Sequence, residues 1–328
     1  MTIIQTQKLE RTYTSYKRGH GLKEAFASLF NREVIFSYAV KRISFGIEEG
    51  EMVGFVGPNG AGKSTTIKML TGILRPTGGE ATVLGFRPWK DRKKYVENIG
   101  VVFGQKSQLW WDLPPIDAFY LMKDVYQIPE KEFKKRLDEM VKMLRVEDIM
   151  HKPTRDLSLG ERMKCEFVMA LLHNPKILFL DEPTIGVDAL AKEEIRDFLH
   201  RINQEYKTTI ILTTHDMDDI EEVCERIIII DKGSIIYDGS LAAVKRQYTK
   251  TKTVDFEFTT IKNKAAFEKT LKTGKTIEQR KNYRSVEFPR NEAPKAVKSL
   301  MASCEIVDLL IHEPALETII KEIYREGK

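Results

Sequence analysis

The stretch GPNGAGKST, Gly57 to Thr65, constrains this chain more than any other part of it. It fits the pattern G-x-x-x-x-G-K-[ST], follows the apolar run Met52 to Val56 and precedes a helical pattern from about Lys63. A strand, a glycine-rich turn and a helix therefore follow one another. In that arrangement Gly57, Pro58, Asn59, Gly60, Ala61, Gly62 and Thr65 form a cradle whose backbone N–H groups converge on phosphate. Lys63 reaches the β- and γ-phosphates, and Ser64 can ligate magnesium.

The rest of the chain supplies the sheet such a unit needs. Ile177 to Leu180, Thr209 to Thr213 and Arg226 to Asp231 are β-rich runs with helical segments between the first two and before the third, which implies a mainly parallel α/β sheet covered on both faces. Residues 2 to 8 and 40 to 56 also read as strands. Between them, Leu22, Phe26, Leu29 and Phe30 fall at helical spacing, so an amphipathic insertion is expected over about 17–36, beside Lys17, Arg18, His20 and Lys23. From Pro114 to about Met150 a charged helical stretch carries the stripe Phe133, Leu137, Met140, Val141 and Leu144. Composition shifts after DGSLAAVKRQY, and Val254, Phe256 and Phe258 followed by Phe267 and Leu271 suggest a separate α+β domain, with further strands near 285–288 and 305–311.

Composition excludes more than it assigns. The apolar runs are strand-length, well short of the roughly 20 residues that cross a bilayer, and the start, MTIIQTQKLERTY, lacks the uninterrupted apolar core of a secretory signal. A cytosolic protein is expected. Cys165, Cys224 and Cys304 lack metal-ligand spacing and suit a reducing compartment. A net charge of +5 from 53 basic and 48 acidic residues is explained by solvated faces.

A second motif, ILFLDEPT, ends an apolar strand in Asp181 and Glu182. Beside a phosphate-binding loop, the first carboxylate can hold magnesium and the second can orient or deprotonate an attacking water. DLSLGERMKC reads as a helix start, with Ser158 as cap and Glu161 completing a capping box. The N-terminus of such a helix attracts anions.

From about residue 3 to 240 these elements occur in an order that resembles the ATP-binding cassette (ABC) ATPases. Gln105 in VVFGQ matches the loop that senses magnesium and the γ-phosphate, and LSLGE, 157 to 161, matches the signature with Ser158, Gly160 and Glu161. Asp188 in IGVD matches the aspartate loop, and His215 in ILTTHD the switch histidine that contacts the γ-phosphate. LERTY resembles the segment whose aromatic stacks on adenine, which points to Tyr13, with Phe36 and Tyr38 as alternatives. Leu159 stands where the commonest family pattern has its first glycine.

The resemblance implies a P-loop ABC cassette over 1–245, with a parallel core, an antiparallel β subdomain and a helical subdomain at about 106–165, followed by a small accessory domain over 246–328. It implies ATP and magnesium as ligands and Glu182 and His215 as catalytic residues. Ser64, Gln105 and Asp181 would attend the metal. It implies also a homodimer or heterodimer with a second ATPase subunit, the signature of one chain facing the γ-phosphate held by the other. The dimer would drive a separate integral membrane permease from the cytoplasmic face of the membrane. No direct nucleic-acid partner is expected, although soluble relatives that act on ribosomes or DNA form the alternative class. HEPALETIIKEIY resembles the tail of bacterial drug and antibiotic exporter subunits, which favours export over import. At least one of Trp110 and Trp111, in SQLWWDLPP, is expected to line a surface groove near the permease contact.

Overall fold

The computed structural model describes residues 1–16 and 34–326, and the expected insertion helix with Leu22, Phe26, Leu29 and Phe30 lies outside the described residues. The chain divides into two compact units, Met1–Gly239 and Ser240–Lys328. The break falls at Gly239 rather than near 245 because Ser240 caps a helix, Leu241–Tyr248 (α8), that packs within the second unit.

In the first unit, strands Met52–Val56 (β4), Ile99–Phe103 (β6), Ile177–Asp181 (β7), Thr209–Thr213 (β8), Arg226–Asp231 (β9) and Ser234–Ser240 (β10) form one sheet in the order β10-β9-β4-β8-β7-β6. The pairings of β4 with β8 and β9, and of β7 with β6 and β8, are parallel. β4 and β8 are buried along their whole length and β7 and β9 everywhere but their ends. That is why they read as continuous apolar runs rather than alternating ones.

A second, antiparallel sheet is built on Thr2–Tyr16 (β1), which pairs with Val34–Ile43 (β2), Gly46–Glu48 (β3) and Gly78–Val83 (β5). The single strand expected over 40–56 is thus three strands, and β2 begins at Val34, inside the segment expected as insertion. Ile4, Leu9, Val40 and Ile47 from this sheet pack with Phe55 and Phe179 from the other, so the core lies between the two. Helix Lys63–Leu70 (α1) follows the glycine-rich turn, and Arg92–Val96 (α2) precedes β6. Pro115–Val125 (α3), Glu130–Leu144 (α4) and Leu159–Leu171 (α5) make the helical part, and Phe133, Met140, Val141 and Leu144 form the buried stripe of α4. Ala189–Tyr206 (α6) and Met217–Val223 (α7) cover the parallel sheet.

The register of the parallel strands decides where chemistry can happen. Phe103 stands opposite Asp181, Asp181 opposite Thr213 and Thr213 opposite Phe55. The carboxyl ends of four strands are therefore level. The segments that leave them carry the glycine-rich turn, Gln105, Glu182 and His215, and this edge is where open α/β sheets bind ligands.

The second unit is a βαββαβ fold. Thr251–Ile261 (β11), Lys264–Leu271 (α9), Lys275–Arg280 (β12), Tyr283–Pro289 (β13), Ala293–Ser303 (α10) and Cys304–His312 (β14) give an antiparallel sheet in the order β12-β13-β11-β14. Val254, Phe256, Phe258 and Phe288 pack with Phe267 and Leu300 from the helices. Helix Leu316–Glu326 (α11) packs with α8.

Candidate active site

Gly62 is the position that lets the turn close. Its φ is 113°, and a Cβ there would sit 2.5 Å from the carbonyl oxygen of Ala39, so only glycine fits. No side chain caps α1 among the described residues. Its first N–H groups are left for a ligand, as at other anion-binding helix starts. Lys63, only 6% exposed, turns its ammonium back onto the carbonyl oxygens of Gly57 at 2.6 Å and Pro58 at 3.3 Å. Burial pulls the Lys63 pKa below the usual lysine value, opposed by the charges of Glu182 and Asp181. A phosphate in the turn would supply the anionic partner that two carbonyl oxygens replace only in part.

At the end of β7, Asp181 Oδ1 accepts hydrogen bonds from the Ser64 hydroxyl at 3.0 Å and the Thr213 hydroxyl at 2.6 Å. A carboxylate beside a hydroxyl is a hard oxygen set of the kind magnesium takes, so these residues fit the ion. Thr213 is fully buried. Sequence reasoning passed over it, because a threonine inside an apolar run reads as a strand former.

Glu182 has φ 55°, left-handed for a residue with a side chain. Its N–H donates to Thr213 O at 2.8 Å, and its Oε2 lies 2.6 Å from His215 Nδ1 and accepts from the His215 N–H at 3.3 Å. One histidine nitrogen thus orients the carboxylate, which leaves Nε2 for a ligand. Two adjoining cavities surround these groups. One of about 300 Å³ is lined by Asn59 to Thr65 with Ala39, Gln105 and Glu182, and one of about 340 Å³ by Ser64, Lys68, Gln105, Asp181 and Glu182 among others.

The remaining expected residues lie elsewhere. Ser158 caps α5 in a full capping box, its Oγ accepting from the Glu161 N–H at 3.2 Å and its own N–H donating to Glu161 Oε2 at 2.8 Å. Capping consumes a lone pair and leaves the exposed hydroxyl its proton to give. Gly160 is buried because a Cβ would stand 2.7 Å from Ala191 Cβ and 3.2 Å from Asp188 Oδ2. Leu159 Cδ2 approaches to 3.0 Å of where a Cβ on Gly186 would lie, so the leucine of the signature rests on the aspartate loop of its own chain. Asp188 caps α6 through the Ala191 N–H at 3.0 Å. None of Ser158, Gly160, Glu161 and Asp188 lines either cavity.

Tyr13 does not line them either. It is 40% exposed, under the Arg11 guanidinium at 4.7 Å. It stands opposite Ser37, whereas Phe36 stands opposite Thr14 and Tyr38 opposite Thr12. Tyr13 therefore faces one side of the β1–β2 ribbon, and Phe36 and Tyr38 the other. Trp110 and Trp111 are both exposed.

A further link was invisible in the sequence. Glu166, in α5 and only 2% exposed, accepts from the Ser107 hydroxyl at 2.5 Å and the Gln108 N–H at 2.8 Å. Burial pushes its carboxyl pKa up, against these bonds, and its Oε2 has no partner. The loop after Gln105 is tied to the signature helix through this one side chain.

Known proteins carry the same pattern. The ABC transporter family model matches residues 40–185. The chain is 34% identical over 206 residues to the ABC transporter ATP-binding protein NatA of Bacillus subtilis (strain 168), covering 63% of this chain and 83% of that one. It is 36% identical over 211 residues to the probable multidrug ABC transporter ATP-binding protein YbhF of Escherichia coli (strain K12), covering 64% of this chain and 36% of YbhF. Among solved structures, a dimeric post-hydrolysis state of the ATP-binding cassette MJ0796 bound to ADP and Pi superposes with a TM-score of 0.60 at 27% identity, covering 73% of this chain and 98% of that one.

Proposed function

The chain belongs to the ABC ATPase family as an ABC transporter ATP-binding subunit, and on that premise we propose that two chains close on ATP, head to tail, to drive a separate membrane permease. The observation that carries this reading is the division of the site. Lys63, Ser64, Asp181, Glu182 and His215 meet at one sheet edge, while Ser158 and the start of α5 line neither cavity there. In the proposed dimer the phosphate-binding half of one chain faces the anion-attracting helix start of the other.

Within each half, Lys63 exchanges its carbonyl partners for the β- and γ-phosphates, and the N–H groups of Asn59 to Thr65 hold them. Ser64 and Asp181, with Gln105, would hold magnesium, which would neutralise phosphate charge. Glu182, oriented by His215 Nδ1, takes the proton of the attacking water, and His215 contacts the γ-phosphate as the family's switch histidine does. Ser158, with Gly160 and Glu161 behind it, donates to the γ-phosphate of the partner, and Asp188 lies beside that contact. Tyr13 supplies the adenine face.

Among the described residues no helix is long and apolar enough to cross a membrane; in the proposed assembly the permease is a separate protein and this subunit works at its cytoplasmic face. Trp110 and Trp111 form its docking edge. The name of the YbhF relative and the tail HEPALETIIKEIY support export of a drug-like or other small amphipathic substrate. Sedimentation with ATP or ADP tests the reading. Glu182→Gln dimers accumulate with ATP and not with ADP, and adding Ser158→Arg weakens them at least about tenfold while each chain still binds ATP. Equal dimerisation of the single and double variants would return Ser158 to capping alone.

A further inference from the structure

At the end of the parallel sheet away from the phosphate-binding edge, the first unit holds a cavity of about 460 Å³, a size usual for small-molecule sites. Its wall comes from Glu97 before β6, the turn between α3 and α4, the face of α4 that carries Glu132 and Arg136, His173 before β7 and Tyr206 before β8. The amino ends of three parallel strands therefore meet there. None of these residues lines the two cavities around Ser64 and Lys63.

Two buried nitrogens of this wall are unsatisfied. Arg136 is 9% exposed, with its guanidinium 4.2 Å from the centre of the Tyr206 ring and its Nε donating to Leu171 O at 3.3 Å. Among the described residues its Nη2 has no partner, and no carboxylate pairs with it. His173 bonds Ile99 O through Nε2 at 2.9 Å and stacks on Tyr126, and its Nδ1 also lacks a partner. A carbonyl oxygen only accepts, so Nε2 carries the proton of the neutral ring and Nδ1 offers a lone pair. Buried groups left this way are costly. The guanidinium calls for an anionic oxygen and the imidazole for an N–H donor.

The carboxylates of the same wall narrow the choice. Glu139 is engaged by the Tyr206 hydroxyl at 2.9 Å and by Lys135 at 3.9 Å. Glu97 and Glu132 form no ion pair among the described residues. Glu132 and Arg136 stand one turn apart on α4, where such charges ordinarily pair, yet the guanidinium lies buried against Tyr206 instead. A simple anion entering the cavity would meet two free carboxylates, and a simple cation would meet a buried guanidinium. A ligand with both charges on neighbouring atoms suits both. Tyr126, Ile128, Pro129 and Leu172 add apolar surface.

We propose that this cavity is a second ligand site, which takes an α-amino acid with a large apolar side chain. The carboxylate goes to Arg136, the ammonium to His173 Nδ1 and the free carboxylates of Glu97 and Glu132, and the side chain to the apolar wall. The site joins the turn before α4 to the amino ends of β6 and β8, so an occupant holds the helical part and the sheet together. It gives the subunit a means to sense an amino acid away from the nucleotide.

Isothermal titration calorimetry on the full chain without nucleotide tests this. The probes are L-phenylalanine and L-leucine, each beside its two halves: hydrocinnamate and isocaproate lack the ammonium, and phenethylamine and isoamylamine lack the carboxylate. The better amino acid should bind one per chain with a dissociation constant below about 1 mM, and each of its halves at least about tenfold more weakly. Arg136→Gln should weaken it at least about tenfold, and Glu97→Gln with Glu132→Gln, both at exposed positions, at least about threefold. ATP binding checks that each variant is folded, and where Arg136→Gln fails that check the glutamate pair carries the test. Binding of neither amino acid, equal binding of either half, or unchanged affinity in the glutamate variant would overturn the proposal. The ATP-driven dimer of Glu182→Gln is measured without these probes and stands or falls separately.

Discussion

Thr213→Val removes one hydroxyl from a wholly buried position and leaves the shape of β8 nearly unchanged. In the structure Asp181 Oδ1 has two donors, Thr213 at 2.6 Å and Ser64 at 3.0 Å. Were Ser64 to give its oxygen to magnesium in the proposed site, Thr213 would be the hydroxyl still fixing the carboxylate. A hydrogen bond to a charged group is worth roughly 1.5 to 3 kcal/mol. Losing it costs stability in the free chain, and with magnesium bound it would free Asp181 to rotate. If about 1.4 kcal/mol of that appears in ion binding, the magnesium concentration for half-maximal turnover rises about tenfold. The assay is ATP turnover against free magnesium, paired with magnesium-dependent nucleotide binding read by fluorescence. Saturating magnesium should restore most of the maximal rate, since Glu182 and His215 are untouched. Thr213→Ser keeps the donor and should behave as wild type. An unchanged magnesium requirement in the valine variant, or equal impairment of the serine variant, would refute the reasoning.

Three other outcomes follow from neighbouring geometry. Lys63→Ala should raise the dissociation constant for ATP at least about tenfold in equilibrium binding, because a buried charge-assisted phosphate contact disappears; wild-type affinity would remove the cradle assignment. Gly160→Ala forces a methyl to 2.7 Å from Ala191 Cβ, and about 1 to 3 kcal/mol of overpacking should lower the urea midpoint and weaken ATP-driven dimers together. His173 stacks on Tyr126 with centroids 4.0 Å apart and bonds Ile99 O, and burial lowers its pKa from 6.5 to about 4. The unfolded chain thus takes up the proton first as pH falls. His173 leaves stability unchanged above about pH 6.5 and removes up to about 3 kcal/mol between there and pH 4. His173→Phe should therefore show a smaller drop in unfolding free energy from pH 7.5 to 5 than wild type; an equal drop would show that His173 is not the sensor.

What the sequence disclosed follows from how each feature is encoded. The turn at Gly57 to Thr65 and the strand ending in Asp181 are contiguous, and their chemistry forces particular residues into consecutive positions. Fully buried β7, β8 and β9 announce themselves as apolar runs. β5, GGEATV, and β12, KTIEQR, escaped because one is opened by glycines and the other is polar and mostly exposed. The break falls at Gly239 for a different reason, since a capped helix of about two turns, Leu241–Tyr248, can pack on either side of a boundary. Contacts remote in sequence were hidden altogether. Leu159 resting on Gly186, Thr213 bonding Asp181 and Glu166 bonding Ser107 join residues whose types suggest a signature variant, a strand former and a solvated helix charge. Each reading was sensible locally, and packing reassigned the residue.

The buried carboxylate of Glu166 has a mechanical consequence. If the loop after Gln105 moved while α5 stayed, both hydrogen bonds would break and the Glu166 carboxyl, already lacking a partner at Oε2, would be left without partners in the interior. A buried polar group left without its partners costs about 1 to 3 kcal/mol. Keeping those bonds therefore favours joint movement of loop and signature helix, and a displacement of the loop would carry the Ser158 end of α5 with it.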